Sequence, residues 1–206
     1  MAEKGLCKSD RRIRAAFIDL LEEKGFYQIR VADILSRADV SRATFYAHYE
    51  DKYQLMRVLR EEQFNGLGAI MEKVRRTRRT DGILHWTGGT NPIFVEYFRY
   101  IQENQRLWKL FASGRGEGDF SDALSHYLYH WISQTQELWS EDGDPELTQE
   151  LSSVICSWVY VALFSKWLTT GMKETPEEMA KALTVFWTRF MRWDQNEGGS
   201  HNYAND

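Results

Sequence analysis

The chain has 206 residues, 43% hydrophobic and 14% aromatic, which excludes a disordered chain and leaves room for one or two domains with buried cores. The longest nearly apolar run, Val154–Phe164, is shorter than the roughly 18 residues of a membrane span, no leader pattern opens the chain, and Cys7 and Cys156 are too few for a disulfide framework or a zinc site, so a soluble cytoplasmic protein is expected. The net charge of −4 hides a division: residues 1–80 hold 17 Lys plus Arg against 12 Asp plus Glu, whereas the remainder is acidic and holds all eight tryptophans.

In chain order, Ile13, Ala16, Phe17, Leu20 and Leu21 recur at helical spacing, with Ser9 as the expected N-cap and Gly25 after the helix end. Val31, Ile34 and Leu35 predict a short helix with one buried side. Ala38-Asp39-Val40 interrupts it, and Ser41 caps a new helix over Arg42-Ala-Thr-Phe-Tyr. Two short helices joined by a tight turn behind an amphipathic first helix form a helix-turn-helix, whose second helix enters a DNA major groove. A longer helix follows and ends near Arg75–Arg79, before a loop. Further on, each of the three prolines follows an N-cap residue, in Asn91-Pro92, Asp144-Pro145 and Thr175-Pro176, and so marks a helix start. Apolar stripes through Leu124, Tyr127, Leu128, Trp131, Ile132, Leu138 and Trp139, and through Met179, Leu183, Phe186, Trp187 and Phe190, predict two more helices. With no period-2 run, the expectation is all-α. Residues 1–52 form the helix-turn-helix domain, 53–194 a helical effector-binding and dimerisation domain, and 195–206 a flexible tail.

Within the first part, the residues free to face DNA are Ser41, Arg42, Ala43, Thr44, Tyr46 and His48, while Val40, Phe45 and Tyr49 anchor the reading helix. Arg42 offers a bidentate fork to a guanine or a charge to a phosphate. Lys52, at the next helix start, offers a charge and amide donors to a phosphate. The string Ala38-x-Val40-Ser41-Arg42-x-Thr44-Phe45-Tyr46-x-His48-Tyr49-x-Asp51-Lys52, with Gly25-Phe26 and Val31-x-x-Ile34 before it, resembles the DNA-binding domain of TetR/AcrR-family regulators. Two positions depart from that pattern. Asp39 stands where the family usually has glycine, and Arg30 stands where it usually has a capping threonine, with an arginine there able to reach a phosphate.

The resemblance implies a homodimeric transcriptional regulator, a repressor released from a palindromic operator by a small-molecule effector, working without a cofactor and away from membranes. From Val154 to Phe164 the chain is apolar nearly all round, which asks for more than one partner surface. Trp158, Ala162, Leu183, Trp187 and Phe190 are the dimer-interface candidates. Phe94, Phe98, Ile101, Trp108, Phe111, Trp131 and Trp158 are candidates for an effector pocket between helices. The closing helices also resemble those of a subgroup that includes a coactivator-dependent regulator of dihydroxyacetone use. That leaves open a partner-protein-dependent activator with a C-terminal interaction module. A third class, a helical enzyme or metal-binding protein, rests on Asp122, His126 and His130 spaced by four. These three fall opposite the apolar stripe of their helix, and no nucleophile, phosphate-loop or paired-carboxylate motif accompanies them.

Overall fold

The computed structural model describes residues 7–77, 89–134 and 149–196, with side chains except those of 74–77, 149 and 189–196. Nine helices and a 3-10 turn make up the regular structure of the described residues, with no strand among them. They are α1 (Lys8–Lys24), α2 (Val31–Ala38), α3 (Arg42–Tyr46), α4 (Lys52–Thr77), α5 (Pro92–Glu103), α6 (Gln105–Ala112), α7 (Phe120–Gln134), α8 (Gln149–Thr169) and α9 (Pro176–Asn196). The start at Pro145 and the stripe positions Leu138 and Trp139 lie outside the described residues. So does the expected tail, apart from Gln195 and Asn196, which continue α9.

Local chemistry sets the helix boundaries. Asn91 Oδ1 accepts the Ile93 amide at 3.0 Å ahead of Pro92. At α9, Thr175 Oγ1 accepts from Glu178 N (3.2 Å) while the Glu178 carboxylate accepts from Thr175 N (2.8 Å), closing a capping box. Gly25 ends α1 at φ 77°, ψ 161°, a region open only to glycine. The first helix starts earlier than its sequence suggests. Cys7 is its N-cap, so Ser9 lies inside the first turn and its hydroxyl is turned to His48 instead of capping.

Helices α1 to α3 and the first turns of α4 enclose Ile13, Phe17, Leu21, Phe26, Ile34 and Phe45, each almost fully buried. The second layer is aromatic. Phe98 of α5 meets Phe164 and Trp167 of α8 edge-on, with centroids 5.4 and 5.2 Å apart, and Phe64 of α4 stacks near Trp108, Phe120 and Tyr127. These side chains belong to one continuous buried cluster, which runs from Ile13 to Trp187 without a gap between domains. Helix α4 carries it across. Its Tyr53 meets Phe26 at 5.0 Å, its Glu62 accepts from Arg14 of α1 at 2.6 Å, and its Phe64 sits among the aromatics of α6 and α7.

Two glycines let α4 pack this closely. A Cβ at Gly66 would fall on the ring and hydroxyl of Tyr100, and one at Gly68 on the hydroxyl of Tyr127 and the ring of Trp131. Tyr100 Oη donates to the Gln63 carbonyl at 3.0 Å, and burial pushes this phenol up to about 12. Gly66→Ala should therefore lower stability by about 1 kcal/mol or more in urea unfolding. It reverses the gain of about 1 kcal/mol that alanine normally brings to a helix, because overpacking outweighs propensity.

Helix α8 differs from its sequence reading. Glu150–Thr169, at mean hydropathy 1.4, is long and apolar enough to cross a membrane, because its few, mildly polar serines interrupt the apolar run yet leave the mean high. Tyr160, Val161, Phe164, Trp167 and Leu168 nevertheless pack into the protein core, as a bundle helix requires.

Candidate nucleic-acid interface

Helix α3 is only five residues long, so its neighbours must hold it. Ser41 caps it, accepting the Thr44 amide at 3.0 Å and pairing with Thr44 Oγ1 at 2.8 Å. Phe45 is fully buried beneath it, with Tyr49 5.9 Å from the Phe45 ring. On the outer side Arg42, Ala43 and Tyr46 are exposed, and Tyr46 keeps 48% of its surface. Arg42 makes no ion pair or hydrogen bond among the described residues, so its fork is free to reach outward. Arg30, at the start of α2, is exposed as well.

The other expected contacts are placed differently. His48 is half-buried, and its Nε2 is paired with Ser9 Oγ at 2.9 Å and lies 3.5 Å from Cys7 Sγ, which ties it to the start of α1. Lys52 is a correction. Its ammonium turns inward and donates to the carbonyls of Phe26 (3.0 Å) and Ile29 (2.8 Å), 4.5 Å from the Phe26 ring centroid. Desolvation there pulls its pKa below the ordinary lysine value. The Phe26 carbonyl already accepts the Ile29 amide that closes the 3-10 turn, and Lys52 adds a second donor there and one at Ile29, which turns its charge away from the outer surface. Arg30 does not leave α2 uncapped, because Asp33 Oδ2 accepts the Arg30 amide at 2.8 Å and also binds Lys24. Those partners hold the Asp33 carboxyl below its usual range.

Sequence reasoning missed the buried polar network under this surface. Tyr49, 4% exposed, donates to Asp10, whose other oxygen accepts from Arg14 Nε at 3.1 Å, and Arg14 continues to Glu62 of α4. Burial, with the Asp10 carboxylate beside it, raises the Tyr49 pKa well above that of a free phenol. Asp10 looks like an ordinary first-turn acid in the sequence, and only the fold shows it buried. Tyr49→Phe should cost about 2 kcal/mol in chemical denaturation, since it leaves a buried charged acceptor one bond short.

Among the dimer candidates, Trp158 (44% exposed) and Ala162 lie on the outer face of α8, in line with Leu151, Val154 and Ile155. Leu183 and Trp187 do not. At 1% and 4% exposure they are filled in by their own protomer, with Trp187 6.1 Å from Tyr160, and the outward apolar positions described on α9 are Ala182, Val185 and Phe186. The side chain of Phe190 lies outside the described set. Of the pocket candidates, Phe94, Phe98, Ile101, Trp108 and Phe111 are buried against one another and their neighbours as core, Trp131 is half-buried over Gly68, and Trp158 faces outward. His126 and His130 stand on an exposed face with Asp122, and no group of metal-ligating residues occurs among those described.

The two halves touch directly. Arg106 of α6 donates to Asp19 (2.5 Å) and Glu22 (2.8 Å) of α1, and the Phe26 amide donates to the Arg115 carbonyl at 2.9 Å.

Comparison with known proteins agrees with this architecture. Residues 13–59 match the family described as bacterial regulatory proteins, tetR family, and residues 90–189 match a transcriptional regulator C-terminal region. The chain is 35% identical over 151 residues to the HTH-type dhaKLM operon transcriptional activator DhaS of Lactococcus lactis, covering 70% of this chain and 74% of that protein. In fold it resembles a TetR-family transcriptional regulator from Syntrophomonas wolfei (TM-score 0.63, 20% identity, 89% of this chain and 95% of that one). It is also similar in fold to a TetR regulator from Streptococcus agalactiae (TM-score 0.61, 23% identity, 87% and 93%). A helix-turn-helix whose outer face is free, set on a helical body that matches along both halves, places this chain in the TetR family of DNA-binding transcriptional regulators.

Proposed function

We propose that this chain acts in the cytoplasm as a homodimeric repressor of a near-palindromic operator, released when a small molecule binds the C-terminal domain. The observation that carries the dimer is the outward apolar band formed by Leu151, Val154, Ile155 and Trp158 of α8 with Val185 and Phe186 of α9, all more than a third exposed. An apolar face of this size on a soluble protein calls for a partner surface, and a second copy related by a two-fold axis supplies it. Two-fold pairing sets two reading helices against successive major grooves. Arg42, Ala43 and Tyr46 then meet base edges, while Arg30, Ser41, Thr44, His48 and the amide end of α4 at Lys52 meet phosphates. Residues 1–52 contact DNA and 53–194 pair and sense. An effector acts by binding one arrangement of the dimer more tightly than the other. The contacts of Arg106 with Asp19 and Glu22, and of the Phe26 amide with the Arg115 carbonyl, join the two halves across which that change would pass.

The relative from Lactococcus is named an activator of the dhaKLM operon, so the sign of control needs a direct test. Deleting the gene should raise transcription from the adjacent promoter, and footprinting should show protection over an inverted repeat. A fall in transcription on deletion would favour the second reading, an activator dependent on a partner protein.

A further inference from the structure

We propose that Arg12 is a positioning residue for DNA binding, holding the reading helix in register by clamping the turn at Asp39. This rests on the placement of the DNA face on α3. Asp39 sits in the left-handed region at φ 49°, ψ 56°, and among the described residues only Met172 is another non-glycine at positive φ. An L-residue is sterically disfavoured there, and aspartate accepts the position only better than most. The turn's own bonds are few: the amides of Asp39 and Val40 both return to the Leu35 carbonyl.

The missing restraint comes from α1. Arg12 Nη2 donates to the Asp39 carbonyl at 2.9 Å and to its carboxylate at 2.7 Å. One nitrogen thus fixes both the backbone and the side chain of the same strained residue. Ser41, the cap of α3, follows two positions later, so rotation about Asp39 would swing a helix too short to resist. The pairing has a second effect. The Asp39 side chain is 92% exposed beside the DNA-reading helix, and its charge would repel phosphates if Arg12 did not neutralise it. The clamp therefore supplies order before binding, and each protomer would otherwise meet that cost on the operator.

The test uses the full-length dimer and a duplex that the wild-type protein selects from a random-sequence pool, with affinity followed by anisotropy over a range of salt. Arg12→Ala should bind about tenfold more weakly, roughly threefold for each protomer, with an unchanged thermal melt because exposed ion pairs carry little stability. Adding Asp39→Gly should return affinity to within about threefold of wild type, since glycine takes positive φ freely and removes the bare carboxylate. Asp39→Gly alone, which leaves α1 untouched, should bind as wild type does. The salt slope of the double variant should equal that of the wild type.

Three results overturn the proposal: unchanged affinity in Arg12→Ala, a double variant as weak as Arg12→Ala, or a salt slope lowered by about 0.9 for each arginine lost, which would make Arg12 a phosphate contact. A wild-type protein that enriches no sequence overturns the DNA face and this proposal together. The other three failures leave the DNA face standing.

Discussion

Arg42→Ala is expected to weaken operator binding by about 30-fold to 10⁴-fold while leaving the dimer folded. The range follows from geometry and symmetry. A bidentate arginine contact to a base is worth about 1–3 kcal/mol of discrimination, and a two-fold dimer loses it at both half-sites. The side chain is exposed and makes no ion pair or hydrogen bond among the described residues, so its removal opens no cavity and orphans no partner. Anisotropy with the operator duplex, beside a circular-dichroism melt, measures both quantities. A loss confined to one base position in each half-site identifies a guanine contact. A uniform loss with a shallower salt dependence identifies a phosphate. Unchanged affinity removes Arg42 from the DNA face.

Trp158→Glu should dissociate the dimer. A centrally placed interface tryptophan commonly carries about 2–4 kcal/mol, and the two-fold axis counts it twice, which amounts to a weakening of roughly 10³-fold or more. Analytical ultracentrifugation should show a folded monomer, and operator affinity should fall with it because one helix-turn-helix is left to hold the DNA. Two neighbours on α9 sharpen the test. Phe186 is 43% exposed and Trp187 4% exposed. Phe186→Glu should act on assembly, whereas Trp187→Ala should cost about 3–5 kcal/mol of protomer stability by opening the core. A dimeric Trp158→Glu protein would put the pairing surface elsewhere.

Much of the fold is legible in the sequence because helical periodicity and N-caps are local signals. Asn91, Ser41 and Thr175 cap the helices their sequences announce, and the string from Ala38 to Lys52 folds as a helix-turn-helix. The departures share one cause, which is that periodicity shows which face is apolar without showing what covers it. Leu183, Phe186 and Trp187 share a stripe, yet two turn into the protomer and one turns out. Helix α8 is apolar on both faces, so nothing along the chain separates core from interface. Lys52 and Asp10 were hidden for a related reason. Their partners, the carbonyls of Phe26 and Ile29 and the hydroxyl of Tyr49, lie 23 to 39 residues away, beyond the reach of any local pattern.

The continuity of α4 has a thermal consequence. Its first turns complete the core of the DNA-binding helices and its later turns enter the aromatic layer, within a single buried cluster. Such a chain melts as one cooperative unit, because neither half can lose its packing without stripping the other. Anything bound by the C-terminal domain alone then stabilises the distant reading helix as well, by a free energy set by its concentration and affinity, and raises the melting point of both. Heating the protein amid a library of small molecules would therefore reveal any effector among them with no operator in the tube.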